Sequence, residues 1–123
     1  MTEKNEEVST VAELLVLLEN QPQNVEFKQV MQVINENYHY QATAFTNGEA
    51  VNEAGTNEGS CKIFAFAHLN KLNQAQTLAC FGDFYRTDVL ANPDGDDHAN
   101  IRNFMMTGWP GIKFNAIALQ ALS

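Results

Sequence analysis

Residues 46–72 have the sequence TNGEAVNEAGTNEGSCKIFAFAHLNKL, and this stretch decides the predicted fold. Its first part, 46–60, is rich in glycine and asparagine, and 52–60 contains no large apolar residue, which predicts an ordered surface loop. From residue 61 to residue 72, apolar side chains fall on nearly every side of a helix. That pattern is typical of a helix buried at the centre of a domain. The loop is therefore predicted to deliver Cys61 to the start of a buried helix.

Helical periodicity recurs on both sides of this stretch. Thr10 and Glu13 have the spacing of a capping box, which predicts the start of a first helix, and Pro22 predicts its end. Apolar residues at helical spacing predict further helices over 27–38, over 73–89 and from His98 onward.

A different pattern separates the second and third helices. Residues 38–51 are rich in aromatic and β-branched side chains and contain Asn47-Gly48, a strong hairpin signal. The predicted fold is therefore all-α, with about five helices in one compact domain and an ordered loop or small β-hairpin between helices two and three. The tail over 115–122 is predicted to add one or two helical turns. Residues 1–9 are expected to be disordered, and 10–123 to form the single domain.

Charge and composition exclude several classes of function. The net charge is -8, from 7 basic and 15 acidic residues, which argues against binding to nucleic acid or to an anionic membrane. No apolar run is long enough to span a bilayer, and the polar N-terminus differs from a secretory signal. We therefore expect a cytoplasmic protein, in which the two cysteines are thiols rather than a disulfide.

Several blocks in the same order carry a family resemblance. They are AFTNG (44–48), NEAGTNEGSCKIFAFA (52–67), QTLACFGDFYRTDVL (76–90) and DHANIRNFM (97–105), followed by GW (108–109) and GI (111–112). Together they closely resemble the HopJ family, named after type III effector proteins of plant-pathogenic bacteria. The resemblance implies a bacterial protein. It carries over no catalytic residues, because the biochemical activity of that family is not established.

Cys61 is the candidate nucleophile. A thiol at a helix start has its thiolate stabilised by the helix dipole, which lowers the thiol pKa. A thiol nucleophile also needs a base, and His68 lies roughly 10 Å along the same helix, so His98 or His39 would have to supply it. The alternative is a small, buried residue that begins a core helix.

The second candidate site is a set of polar residues inside the family-like blocks: Asn52, Asn57, Glu58, Tyr85, Arg86, Asn100, Arg102 and Asn103. Asparagine and arginine donors suit a carboxylate or an amide ligand. The alternative is a scaffold of side-chain amides that satisfies buried backbone groups. The acidic run 94–97 does not have the spacing of an EF-hand, so we expect a turn there and neither a metal nor another cofactor.

The residues favour a small binding or regulatory module over an enzyme, because the unusual side chains concentrate at the loop and at the start of the His98 helix without a complete catalytic set. Its partner would be an unidentified protein or small molecule. One alternative is a cysteine-dependent hydrolase or transferase that uses Cys61. Another is a type III secreted effector that acts in host cells. Fewer than ten residues precede the first predicted helix, which is short for a type III export signal, so we expect a protein that stays in the bacterium.

Overall fold

The computed structural model describes residues 8–122, which form a mixed α/β fold. In this part of the chain the α-helices are Val11–Asn20 (α1), Phe27–Asn37 (α2), Glu58–Leu69 (α3), Gln74–Ala79 (α4) and Ala99–Thr107 (α5). The strands are Tyr38–Tyr40 (β1), Phe45–Asn47 (β2), Ala50–Asn52 (β3), Ile112–Phe114 (β4) and Leu119–Ala121 (β5). Two 3₁₀ turns, Pro22–Asn24 and Trp109–Gly111, and a π-helical segment, Phe84–Val89, complete the described elements.

The prediction of an all-α fold is wrong, because the chain forms two small antiparallel sheets. β1 pairs with β5, and β2 lies between β3 and β4. The hairpin expected near Asn47-Gly48 is confirmed, with Asn47 opposite Ala50 and a two-residue turn between them. The tail expected to be helical instead supplies β5, whose hydrogen-bonding partners lie far away in the sequence.

Local signals at the helix starts are confirmed. Thr10 and Glu13 form the predicted capping box at α1, and Asn73 forms another with Gln76 at α4. The predicted disordered N-terminus falls mostly on residues 1–7, which lie outside the described residues. Val8 packs against the core, and the backbone N–H of Ser9 donates to the Glu13 carboxylate.

The predicted helix over 73–89 is wrong in one respect, because it is broken at Gly82. This residue has φ +62 and separates α4 from the π-helical segment. A Cβ atom there would lie 2.7 Å from the backbone nitrogen of Phe27. The close approach of the chain to the start of α2 therefore requires glycine at this position, and the left-handed φ explains why the helix cannot continue through it.

α3 lies at the centre of the buried apolar cluster, as its sequence predicts. Ile63, Phe64, Phe66 and Ala67 are fully buried, and Phe64 contacts the rings of four other aromatic residues. Within residues 8–122, no helix combines the length and the apolar character needed to cross a bilayer.

Candidate functional site

Cys61 lies one turn inside α3 rather than at its start. The helix begins at Glu58, and the backbone N–H of Cys61 already donates to the carbonyl of Asn57 at 3.0 Å. The side chain is 1% exposed, and its thiol donates to the carbonyl of Thr43 at 3.6 Å. Burial raises the pKa of the Cys61 thiol, and a hydrogen bond from Tyr40 offsets only part of that effect. The geometry is that of a core thiol, although the catalytic role itself stays a prediction.

Neither candidate base is hydrogen-bonded to the Cys61 thiol in the described structure. His39 is an exposed residue of β1, opposite Gln120 in the strand pair. His98 directs its Nε2 atom to the Asp88 carboxylate at 3.0 Å, and its ring packs against Phe84. Within the described residues, no hydrogen bond joins either histidine to Cys61. A cysteine–histidine pair is therefore not assembled.

Four of the predicted binding residues, Asn52, Asn57, Asn100 and Asn103, belong to one hydrogen-bonded network. Asn100 and Asn52 each donate to the other's amide oxygen, at 3.0 and 3.2 Å, and Asn57 donates to Asn52 at 2.7 Å. Asn47, which the sequence indicated only as a hairpin residue, donates to both the backbone and the side chain of Asn100. Asn103 in turn donates to the Asn47 carbonyl at 3.2 Å. The network joins the hairpin, the loop and α5.

The two arginines of the predicted set hold backbone carbonyls. Arg86 donates to the carbonyls of Pro22 and Val25 and so fixes the turn before α2. Arg102 donates to the Asn92 carbonyl at 2.9 Å and to the Asp97 carboxylate at 2.6 Å, and this hydrogen bond lowers the pKa of Asp97. Both guanidinium groups therefore stabilise loops rather than face a common site.

The remaining two members of the set lie apart from the network. Glu58 is exposed in the first turn of α3 and accepts a hydrogen bond from the Tyr40 hydroxyl at 3.2 Å. Tyr85 is half-buried and packs against the core. The structure thus brings together four asparagines of the predicted set and separates the other members. Their role in binding stays a prediction.

The starts of α3 and α5 open into one cleft of about 520 Å³, called here the helix-start cleft. It is lined by Asn52, Asn57, Gly59, Ser60, Phe27, Phe81, Phe84, Ala50, Val51 and 98–101. Asn57 and His98, the residues that precede the two helices, have φ values of 50 and 53. In the described part of the chain, no side chain caps either helix.

Uncapped starts leave the first-turn N–H groups of both helices without intrahelical partners. These donors carry the partial positive charge of the helix dipole. Phe27 and Phe84, with ring centroids 5.0 Å apart, add an apolar wall to the same cleft. The cleft can therefore donate hydrogen bonds to a ligand from two helix starts, next to an aromatic surface.

Two features of the site were not predicted from the sequence: the aromatic wall of the helix-start cleft and the central position of Asn47 in the asparagine network. Phe27 was predicted only as part of the apolar pattern of the helix over 27–38. Asn47 is fully buried, and its Oδ1 atom has no hydrogen-bond partner among residues 8–122. An Asn-Gly pair beside a buried strand was the available signal, but a turn explains it equally well. No group of three or more His, Cys, Asp or Glu side chains in the same range is arranged to hold a metal ion.

A comparison with models of known protein families identifies the family of this chain. The model of the HopJ type III effector protein family matches residues 11–119, so the chain belongs to the HopJ family. It is also similar to a solved structure described as the crystal structure of unknown function protein VPA0580. The two chains are 53% identical, the match covers 90% of this chain and 92% of that one, and the TM-score is 0.89. No curated protein gives a significant sequence match.

Proposed function

We propose that this HopJ-family protein is a binding module whose ligand enters the helix-start cleft. The observation that carries the proposal is the meeting of two uncapped helix starts in one cleft of about 520 Å³. That volume lies within the range of roughly 300–1,000 Å³ found for small-molecule sites. First-turn N–H groups and the helix dipole both favour a carboxylate or the carbonyl oxygen of an amide.

The other residues of the cleft and its surroundings indicate which further groups the ligand carries. The edge-to-face pair of Phe27 and Phe84 offers a surface for an aromatic or aliphatic group. The Nε2 atom of His98, which lines the cleft, lies 3.0 Å from the Asp88 carboxylate and 3.8 Å from the Asp97 carboxylate, and the chain as a whole has a net charge of -8. A polyphosphate is therefore disfavoured, because it would face acidic surroundings without a lysine or arginine. The ligand that fits carries one carboxylate or amide beside an apolar group.

The residues that line the cleft favour a binding site over a catalytic site. Ser60 and His98 both line it, but no hydrogen bond joins them within residues 8–122. Cys61 is buried and is not among the residues that line the cleft, and its thiol donates to the Thr43 carbonyl. A nucleophile activated by a base within hydrogen-bond reach is therefore not present in the described geometry.

The test uses N-acetylphenylalanine as a probe, since it combines a carboxylate, an amide and an aromatic ring. Titration of the ¹⁵N-labelled protein is expected to shift the backbone amide signals of Gly59, Ser60 and Ala99 in a saturable way. Phenethylamine, which has the ring without the carboxylate or the amide, is expected to bind at least about tenfold more weakly.

A charge variant and its control sharpen the test. Ala99→Glu places a carboxylate at the first position of α5, where it suits the helix dipole but repels an anionic probe. Ala91→Glu adds the same charge at another exposed position, outside the cleft. We expect Ala99→Glu to weaken binding of the probe at least about tenfold and Ala91→Glu to leave it unchanged. Equal binding by both variants, or the absence of shifts in the cleft, would contradict the proposal.

The description of the family supports a second candidate function, that of an effector delivered to host cells by a type III system. The test fuses the chain to a translocation reporter in a bacterium that has such a system. Reporter activity in host cells that disappears in a secretion-deficient strain would support delivery. Equal activity in both strains, or activity in neither, would contradict it. Ligand binding in the cleft is compatible with either location of the protein.

A further inference from the structure

A second cavity, of about 440 Å³, lies between the C-terminal half of α3 and the last strands of the chain. This tail groove is lined by apolar side chains, among them Ala65, Leu69, Trp109, Phe114 and Ile117. Leu69 and Ile117 are 49% and 67% exposed, although both are large and apolar. The groove shares no lining residue with the helix-start cleft, so the two are separate sites.

One polar side chain stands among these apolar residues. His68 is the single ionisable residue in the described lining of the groove. Its ring lies 5.9 Å from that of Trp109, and within the described residues its nitrogens make no hydrogen bond. The indole N–H of Trp109 is already used, because it donates to the Leu72 carbonyl at 3.1 Å. The groove therefore offers one polar side chain, the exposed imidazole of His68, which can donate a hydrogen bond or carry a positive charge.

We propose that the tail groove binds an aromatic carboxylic acid. The carboxylate would accept a hydrogen bond from His68, and the ring system would pack against Trp109 and Phe114. The charge argues for an acid rather than an amine, because the described lining of the groove contains no acidic side chain. The volume argues for a small molecule, since it is about three times the roughly 150 Å³ of a cavity that holds benzene.

The experiment uses 1-naphthoic acid as the probe and follows the indole N–H signal of Trp109 by NMR. Trp109 is the sole tryptophan in the sequence, so this signal reports on the groove alone. A saturable shift is expected, with binding at least about tenfold tighter than that of 1-naphthalenemethanol, which lacks the charge. In His68→Gln this preference for the acid is expected to fall to less than about threefold.

A charge placed at the rim supplies a second, independent measurement. Leu69→Glu is expected to weaken binding of the acid at least about tenfold, because its carboxylate would repel the probe. Val16→Glu is the matched control, since Val16 is a helical residue with a similar exposure of 56% and lies outside the groove. Both positions are exposed, so both variants are expected to fold.

Several results would overturn the proposal. They are the lack of a saturable shift of the Trp109 signal, equal binding of the acid and the alcohol, an unchanged preference in His68→Gln, and equal binding by Leu69→Glu and Val16→Glu. Loss of probe binding at the helix-start cleft would leave this site untouched, because the two probes report on separate residues.

Discussion

Replacing Asn100 with alanine tests whether the asparagine network stabilises the hairpin, the loop and α5. The side chain of Asn100 accepts hydrogen bonds from Asn47 at 3.0 Å and from Asn52 at 3.2 Å, and it donates to Asn52 at 3.0 Å. Alanine leaves the amide donor of buried Asn52 without its acceptor, which costs about 1–3 kcal/mol. The Asn47 donor and the Asn52 acceptor each keep one partner, so their losses are smaller, about 0.5 kcal/mol each. The expected loss of unfolding free energy is therefore about 2–4 kcal/mol.

The measurement is urea unfolding followed by far-UV circular dichroism, with a thermal scan beside it. For a chain of this size, the loss is expected to lower the Tm by about 10 °C. Asn103→Ala is the control, because Asn103 lies on the same helix and its amide makes a single hydrogen bond within the network, to the Asn47 carbonyl. That variant is expected to lose about 1 kcal/mol or less.

A double-mutant cycle separates the network from a general effect on α5. Asn52→Ala combined with Asn100→Ala is expected to cost at least about 1 kcal/mol less than the sum of the single changes, because the two side chains bond to each other. The reasoning is refuted if Asn100→Ala costs no more than Asn103→Ala, or if the two single changes simply add.

Three further predictions concern the backbone and the thiols. Gly82→Ala is expected to lower the free energy of unfolding in urea by at least about 2 kcal/mol more than Gly55→Ala does. Both glycines have a positive φ, but a Cβ at Gly82 would meet the backbone nitrogen of Phe27, whereas a Cβ at Gly55 would enter open space. Cys61 is expected to react with iodoacetamide at least about a hundredfold more slowly in the folded protein than in urea, because its thiol is buried and its pKa is raised. Rapid alkylation of Cys61 in the folded protein would instead support the hypothesis of a cysteine-dependent enzyme. Burial raises the pKa of Cys80 from 9.0 to about 12, so the folded protein keeps a proton that the unfolded chain releases. Stability is therefore expected to fall between pH 9 and pH 12 by up to about 1.4 kcal/mol per pH unit, and Cys80→Ala, compared by urea unfolding at each pH, is expected to lose that component of the pH dependence.

Local signals in the sequence predicted the helices well, because each rests on neighbours along the chain. The capping box of Thr10 with Glu13 needs only residues three apart, and the all-round apolar pattern of α3 needs only its own segment. The hairpin of β2 and β3 also rests on a local signal, whereas β1, β4 and β5 were missed for the opposite reason. Each is three residues long, too short for an alternating pattern, and β1 pairs with β5 about 80 positions later.

The candidate site was likewise predicted in part, and its long-range contacts were not. Asn52, Asn57 and Asn100 were predicted as site residues because they lie in the family-like blocks, and in the structure these residues do lie together. Their mutual hydrogen bonds could not be predicted, since a shared surface and a closed network have the same sequence signature. The position assigned to Cys61 was wrong by one helical turn, because α3 begins at Glu58 after a left-handed Asn57 that no periodicity reveals.

The choice of asparagine for the network follows from the charge of the molecule. An asparagine amide donates and accepts at once, so Asn47, Asn52 and Asn100 can bond to one another in a buried position without a counter-ion. Aspartate at the same positions would bury charge in a chain that already has a net charge of -8. A neutral network also adds no charge of its own to the cleft that it lines. Under the proposed function, the scaffold and the recognition surface are not competing interpretations of these asparagines, because the network would hold in place the helix starts that donate to the ligand.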